Sequence, residues 1–563
     1  MKRSEKHLSE TTLRRFSIAL GLTTALYGMS AMAQAQELLT HHIYPEVANG
    51  TATYVRPMLA TKILRLDIVL PLRDQEGLDS FVKELYNPAS PFYRKFLTVS
   101  EFTDRFGPSQ EDYDTVIQFA KDHGFKVVGG SRDGMDIQIE GSVANIEKTF
   151  NISMQMYKDA KENRIFYAPD REPTVDLPFP LWHISGLDNY SIPHPRYKYR
   201  EQELGEPRAT TGSGPQNSFL GSDMRAAYYG VKGPSALTGA GQHLGLLEYA
   251  GTNLIDLYTY FNNIGQTNRV PITLLSTDGT PTSCVHPSCD DVEQTLDMTQ
   301  ALGMAPGLAS LVMYIGSTDT AIFSSMVSHN PLPTTIGCSW GWTPADPNTL
   351  NPYWVRMMAQ GQTFFVASGD DSTWEKTGKA EAWPADSPYV VSVGGTDLIT
   401  TGPGGAWQSE TAWSHSGGGV SPDNVPIPPW QTIPGVINSR NNGSQFLRNG
   451  PDVAANANFT FYVCANQKPC TANHFGGTSF AAPMWAAYIA LANQQTAAVH
   501  HTTLGFISHT LYYLGASSVY GIVFHDVIFG QSGIYSAVPG YDLVTGWGSM
   551  KGPNLINYLA YFG

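Results

Sequence analysis

Gly476-Gly477-Thr478-Ser479-Phe480-Ala481-Ala482-Pro483 is the stretch on which the reading of this chain turns. Two glycines let the backbone turn sharply and come close to a ligand. A hydroxyl follows, and the small-residue run Ala481 to Ala492 opens what reads as a buried helix. A serine at a helix N-terminus sits where free N–H groups and the helix dipole favour developing negative charge. That suits a nucleophile forming an oxyanion. Ser and Thr are also the ordinary N-caps, so the octapeptide alone reads as a cap first. Residues elsewhere reverse that order.

Around it lies a Gly-, Ser- and Ala-rich block beginning near Ser218. Its strands are continuous apolar runs: His243 to Glu248, Ser310 to Ile315, Thr335 to Ser339, Thr363 to Ser368 and Val390 to Val393. Helical stretches lie between them, such as Leu254 to Ile264, Gln294 to Ala305 and Asn351 to Gln360. Alternation of that kind predicts an α/β fold with a mainly parallel sheet covered by helices on both faces. In such sheets ligands bind beyond the carboxyl ends of the strands.

Upstream, Thr51 to Pro193 predicts a compact α+β unit. Leu64, Leu66, Ile68 and Leu70 share one strand face, with Arg65 and Asp67 on the other. Gln75 to Tyr86, Thr98 to Phe106, Ser109 to His123 and Val143 to Phe150 read as helices; Phe125 to Val128, Gly134 to Glu140 and Ile152 to Tyr157 read as strands. Ser191 to Ser218, with Pro193, Pro195, Pro207 and Pro215 and no apolar period, reads as an exposed, cleavable linker. The expected division is 1–35 signal peptide, 36–195 N-terminal domain, 196–217 linker and 218–563 main domain.

The signal peptide rests on Lys2, Arg3, Lys6, Arg14 and Arg15 before the apolar run Phe16 to Met29, then Ala31-Met32-Ala33-Gln34-Ala35. Export follows, to the medium or to a periplasm where the host has one. No later segment reaches about 18 uncharged apolar residues, so no transmembrane segment is expected. With 563 residues, 42% hydrophobic and 15% charged, the chain is globular and long enough for at least two cores. A net charge of −14 speaks against nucleic acid. From Gly212 onward 21 acidic residues face 10 basic ones. So few Lys and Arg limit self-repulsion once carboxylates protonate, which points to life in acid. Five cysteines suggest small-loop bridges Cys284–Cys289 and Cys464–Cys470, with Cys338 a buried thiol.

Three further stretches carry carboxylates. Glu293 and Asp297, in Asp290-Asp291-Val292-Glu293-Gln294-Thr295-Leu296-Asp297, lie four apart on one helix face, an unfavourable spacing for like charges. A solvated acidic first turn would also explain them. Asp370 ends the strand-and-turn Val366-Ala367-Ser368-Gly369-Asp370-Asp371, where a turn former is equally at home. Asp526 and Asp542, in Phe524-His525-Asp526-Val527 and Pro539-Gly540-Tyr541-Asp542, offer oxygens to a hard cation such as calcium.

Together these stretches resemble the sedolisin family, the serine-carboxyl peptidases, in precursor form. The resemblance covers nearly everything after the signal peptide. It includes Phe92-Tyr93-Arg94-Lys95-Phe96-Leu97-Thr98, Leu237 to Gln242, Trp383-Pro384 through Thr396, and Pro451 to Asn456. It implies a subtilisin-like peptidase domain behind a small ferredoxin-like activation domain that acts as an intramolecular inhibitor. It implies Ser479 as nucleophile, Glu293 as general base, Asp297 as its partner, and Asp370 as the acid of the oxyanion hole. One structural Ca2+ would be held by Asp526, Asp542 and the carbonyls of Val527, Val538 and Gly540. Ser339-Trp340-Gly341 would pair with a peptide substrate by strand addition.

The chemistry is coherent. At about pH 4 an unperturbed histidine is protonated and useless as a base, whereas a glutamate can still accept a proton. Asp370 must be neutral to donate to an oxyanion. A subtilisin triad would need His-Gly-Thr; His243, His286, His329, His415 and His474 are none of them followed by Gly-Thr. The expectation is a secreted, monomeric, acid-acting endopeptidase that cleaves proteins or peptides and processes its own linker. A tripeptidyl-peptidase and a catalytically dead peptide- or surface-binding relative are the alternatives.

Overall fold

The sheet at the centre of the main domain has eight strands. Its order is Ile272–Ser276, Ser310–Ile315, His243–Glu248, Thr335–Cys338, Thr363–Ala367, Val391–Thr400 and Trp407–Ala412, with Val453–Asn456 on the free edge of Val391–Thr400. All neighbours are parallel except the pair Val391–Thr400 and Trp407–Ala412. The computed structural model describes residues 36–201, 211–375 and 381–562. The expected signal peptide, and residues 202–210 of the expected linker, lie outside the described residues.

Side chains alternate through the sheet into two cores, as the period of a strand requires. Leu244, Leu246, Leu311 and Met313 face one core, together with helices Val292–Met304 and Thr478–His500. Leu247, Val312 and Tyr314 face the other, with helices Asp319–Ser328 and Pro347–Gln360. The helix containing Ser479 is buried without interruption from Thr478 to Asn493. A helix apolar all round belongs inside, and its alanines let strands approach it closely.

The N-terminal domain runs strand Ile63–Val69, helices, strands Lys126–Ser131 and Asp136–Ser142, helix Val143–Phe150, strand His183–Ser185. The four strands form one antiparallel sheet in which Ile63–Val69 lies between Asp136–Ser142 and His183–Ser185. That is the ferredoxin-like arrangement. Helices Gln110–Asp122 and Val143–Phe150 cover one face around Leu66, Ile68 and Ile139. Ser109 caps the first of them, accepting from the Asp112 amide at 3.0 Å.

The other face of this sheet was expected to be polar and half-exposed. Asp67 is instead buried, and its Oδ2 accepts from Thr320 Oγ1 of the main domain at 2.6 Å. Helices Gln75–Leu85 and Val99–Arg105 extend the contact: Leu78, Phe81, Leu85 and Phe102 share a core with Leu350, Trp354 and Met357. Tyr86 Oη donates to Met358 O at 2.9 Å. Cys284–Cys289 and Cys464–Cys470 form disulfides, and Cys338 is free and buried, as expected.

Candidate active site

Three adjacent strands, His243–Glu248, Thr335–Cys338 and Thr363–Ala367, end in Glu248, Ser339 and the Ser368-Gly369-Asp370 turn. The N-terminus of helix Thr478–His500 arrives at the same place. Its cap position is Gly477, with no side-chain cap bond, so Ser479 is not an N-cap. Pro483 lacks the N–H that would bond the Ser479 carbonyl four residues back. That carbonyl accepts from Ser339 Oγ at 3.3 Å.

Ser479 Oγ donates to Glu293 Oε2 at 2.9 Å. Glu293 and Asp297, one turn apart on helix Val292–Met304, are both buried, which overturns the solvated-turn alternative. Asp297 Oδ1 accepts from Ser339 Oγ at 2.8 Å. Glu293 Oε1 and Asp297 Oδ2 receive no donor from any other described group, while the two carboxyls bond one another. One proton held between Oε1 and Oδ2 satisfies both and leaves the pair a single negative charge, so Glu293 Oε2 can still accept from Ser479. Burial first, and then the neighbouring carboxylates Asp297 and Glu248, hold Glu293 well above the usual carboxylate range. Burial does the same to Asp297.

Sequence reasoning missed Glu248. It is fully buried at the end of an apolar strand, accepts from Trp340 Nε1 at 3.1 Å, and is pushed up by burial and by Asp297. The available signal was a lone acid closing an otherwise apolar buried strand, a residue type almost never buried without purpose.

Asp370 stands across the helix terminus. Its Oδ1 accepts from both the amide and the hydroxyl of Thr478, each at 2.8 Å. Its Oδ2 is buried without a donor. Burial raises its pKa to about 7, against the hydrogen bonds from Thr478 and the charges of Arg196 and Lys198. The carboxyl is therefore neutral in acid.

The groove in front of these groups holds part of the chain itself. His194–Pro195 pairs antiparallel with Trp340–Gly341, and Lys198–Tyr199 pairs antiparallel with Phe475–Gly476. Between them the Arg196 amide donates to Ser339 O at 2.8 Å, and the Ser479 amide donates to Arg196 O at 3.0 Å. The linker was expected to be exposed throughout; residues 194–200 are instead laid into the cleft. Composition could not reveal this, because strand addition uses backbone groups. Gly477, at φ +149°, makes the approach feasible: a Cβ there would stand 2.4 Å from Arg196 O and 2.6 Å from Asp370 Oδ2. Ser339, Trp340 and Gly341, expected to receive a peptide strand, thus pair with one from the same chain.

No described histidine bonds the Ser479 hydroxyl; His474 Nδ1 lies 3.0 Å from Arg200 O instead. Asp526 and Asp542 meet at one turn. The Gly540 amide donates to Asp526, and the Val538, Val544 and Thr545 amides donate to Asp542. Burial raises Asp542 to about 7. Among the described residues no group of three or more His, Cys, Asp or Glu side chains is arranged to hold a metal ion. Carboxylate oxygens such as these two are the donor type that suits a hard cation.

Fold and site together define a serine-type peptidase carried behind a prodomain. Residues 51–181 match the pro-kumamolisin activation domain, and residues 297–523 match the subtilase family. Kumamolisin of Bacillus sp. is 30% identical, over 88% of this chain and 92% of its own length. Sedolisin of Pseudomonas sp. is 27% identical, over 99% of each. The solved structure of Pseudomonas sedolisin, a serine-carboxyl proteinase complexed with pseudo-iodotyrostatin, is matched with a TM-score of 0.52 at 27% identity, covering 63% of this chain and 99% of that one. The chain belongs to the sedolisin family of serine-carboxyl peptidases.

Proposed function

We propose that the protein is a secreted endopeptidase acting in acid, with Ser479 as nucleophile, Glu293 as general base and Asp297 as the group that holds and polarises that base. Ser479 Oγ attacks the substrate carbonyl as its proton passes to Glu293. The Ser479 amide and a protonated Asp370 receive the oxyanion, and an acyl-enzyme forms and is hydrolysed. The observation that carries this reading is the contact of 2.9 Å from Ser479 Oγ to Glu293 Oε2, where a classical triad would place an imidazole.

An endopeptidase is favoured over a tripeptidyl-peptidase by the course of the bound strand. Residues 191–193 continue beyond His194, so three residues before the reacting carbonyl do not meet a closed end. The basic leader, apolar run and Ala31 to Ala35 support export, with a working monomer outside the cell. One Ca2+ at Asp526, Asp542 and the carbonyls of Val527, Val538 and Gly540 would brace the C-terminal loops. Casein hydrolysis near pH 4 by the wild type and not by Ser479→Ala is the expected result. A wild type inert in acid, or a Ser479→Ala variant as active as its parent, overturns the proposal.

A further inference from the structure

The strand in the cleft has a register, and the register singles out one peptide bond. Pro195 opposite Trp340 fixes the amino side and Lys198 opposite Gly476 fixes the carboxyl side. A slip by one residue would turn every side chain to the opposite face. In this register Arg196 O accepts from the Ser479 amide. It also lies beside Asp370 Oδ2, since both crowd the position of a Cβ on Gly477.

The Arg196 side chain is 6% exposed and, with Ser368, Gly369, Trp374 and Gly417, lines one hollow beside Asp370. Its Nη1 lies 3.5 Å from Glu381 Oε2, and its Nη2 donates to the Glu381 carbonyl oxygen. A Cβ at Gly341 would stand 1.7 Å from Nη2, so the planar guanidinium passes where only glycine leaves room. One residue thus answers two nitrogens of the fork, a geometry open to Arg but not to the single ammonium of Lys. Beyond the bond, Lys198 Nζ reaches Asp371 Oδ1 at 2.6 Å.

We infer that Arg196–Tyr197 is the bond at which the precursor matures, and that Glu381 makes the site select arginine on the amino side of the cut bond. The inference rests on the serine-peptidase reading above. Ser479 Oγ forms a bond to the Arg196 carbonyl carbon as its proton passes to Glu293. The bond from that carbon to the Tyr197 nitrogen breaks, and the proton goes to the departing amine. Water then hydrolyses the ester, leaving a carboxyl on Arg196 and the hydroxyl on Ser479.

The test uses the full chain. Wild-type precursor is incubated near pH 4 and its new N-terminus sequenced; Tyr197 is expected. Two peptides, His-Pro-Arg-Tyr-Lys-Tyr and His-Pro-Phe-Tyr-Lys-Tyr with blocked ends, are then compared on the mature enzyme. Cleavage after Arg should exceed cleavage after Phe by at least about tenfold in kcat/KM, and Glu381→Gln should remove most of that ratio. If Glu381→Gln fails to fold, the wild-type N-terminus and peptide ratio still decide. Active enzyme beginning elsewhere, or preferring Phe to Arg, overturns this inference and leaves the peptidase reading standing. A precursor that neither matures nor cleaves either peptide or casein in acid overturns both.

Discussion

Asp370 Oδ1 accepts both the amide and the hydroxyl of Thr478, so Oδ2 alone is left to carry a proton towards the cleft. Because burial raises this carboxyl to about 7, it is neutral through the acid range and ionises on approach to neutrality. Activity should therefore fall as pH rises through about 7, by up to tenfold per unit for a single ionisation. Asp370→Asn keeps an N–H donor that does not titrate, so it should lose this alkaline limb of the pH–rate profile. Asp370→Ala should cost about 10²–10³ in kcat at the optimum.

The same shift affects stability. Asp370 holds its proton more tightly folded than unfolded, so its contribution is complete below about pH 4 and lost as pH rises from there to about 7. In a Ser479→Ala background, which prevents self-digestion, adding Asp370→Asn should lower Tm most at pH 4 and least at pH 7.5. A difference that grows with pH would contradict the assignment.

Ser479 and Glu293 act as a unit in the proposed mechanism. Ser479→Ala and Glu293→Gln should each reduce kcat by about 10⁴-fold or more, and the double variant should be scarcely worse than either. Additive losses in kcat would show that the two do not share one step.

Calcium should stabilise the folded protein through Asp526 and Asp542. Free Ca2+ at a hundred times its Kd adds about 2.7 kcal/mol. Calorimetry with and without chelator should show that gain, and Asp542→Asn should abolish the dependence while the variant still folds in acid.

Arg448 and Asp452 form an ion pair with both side chains fully buried, 2.6 Å apart, and Tyr512 Oη donates to the same carboxylate at 2.7 Å. Asp452→Asn leaves a buried guanidinium unpaired and should cost about 3–5 kcal/mol in denaturant unfolding.

Much of the sheet was legible because its strands are buried on both faces. His243–Glu248 and Ser310–Ile315 fall where continuous apolar runs place them. Ile272–Ser276 escaped notice: it is a short edge strand with a half-exposed pattern and little to distinguish it from a loop. Helix Asp319–Ser328 also escaped: it is buried on most faces, with Thr320 and Ser324 buried among its apolar residues, so no polar face marks a helical period. The helix Pro347–Gln360 begins four residues earlier than Asn351, because Pro347 fits a first turn. At the site, Ser479, Glu293, Asp297 and Asp370 could be named because their neighbours in sequence form motifs. Glu248 and Arg196 could not, since one is a single acid at a strand end and the other is placed by main-chain pairing.

Phe81, Leu85 and Phe102 of the N-terminal domain sit in one apolar core with Trp354 and Met357 of the peptidase domain. That surface is remote in sequence from residue 196 and is untouched by a cut there. A nicked precursor would therefore remain a two-piece complex, with the severed piece still seated on its host. Onset of activity would show a lag governed by dissociation, shortened by dilution or by digestion of the departing piece, rather than by the chemistry of the first cut.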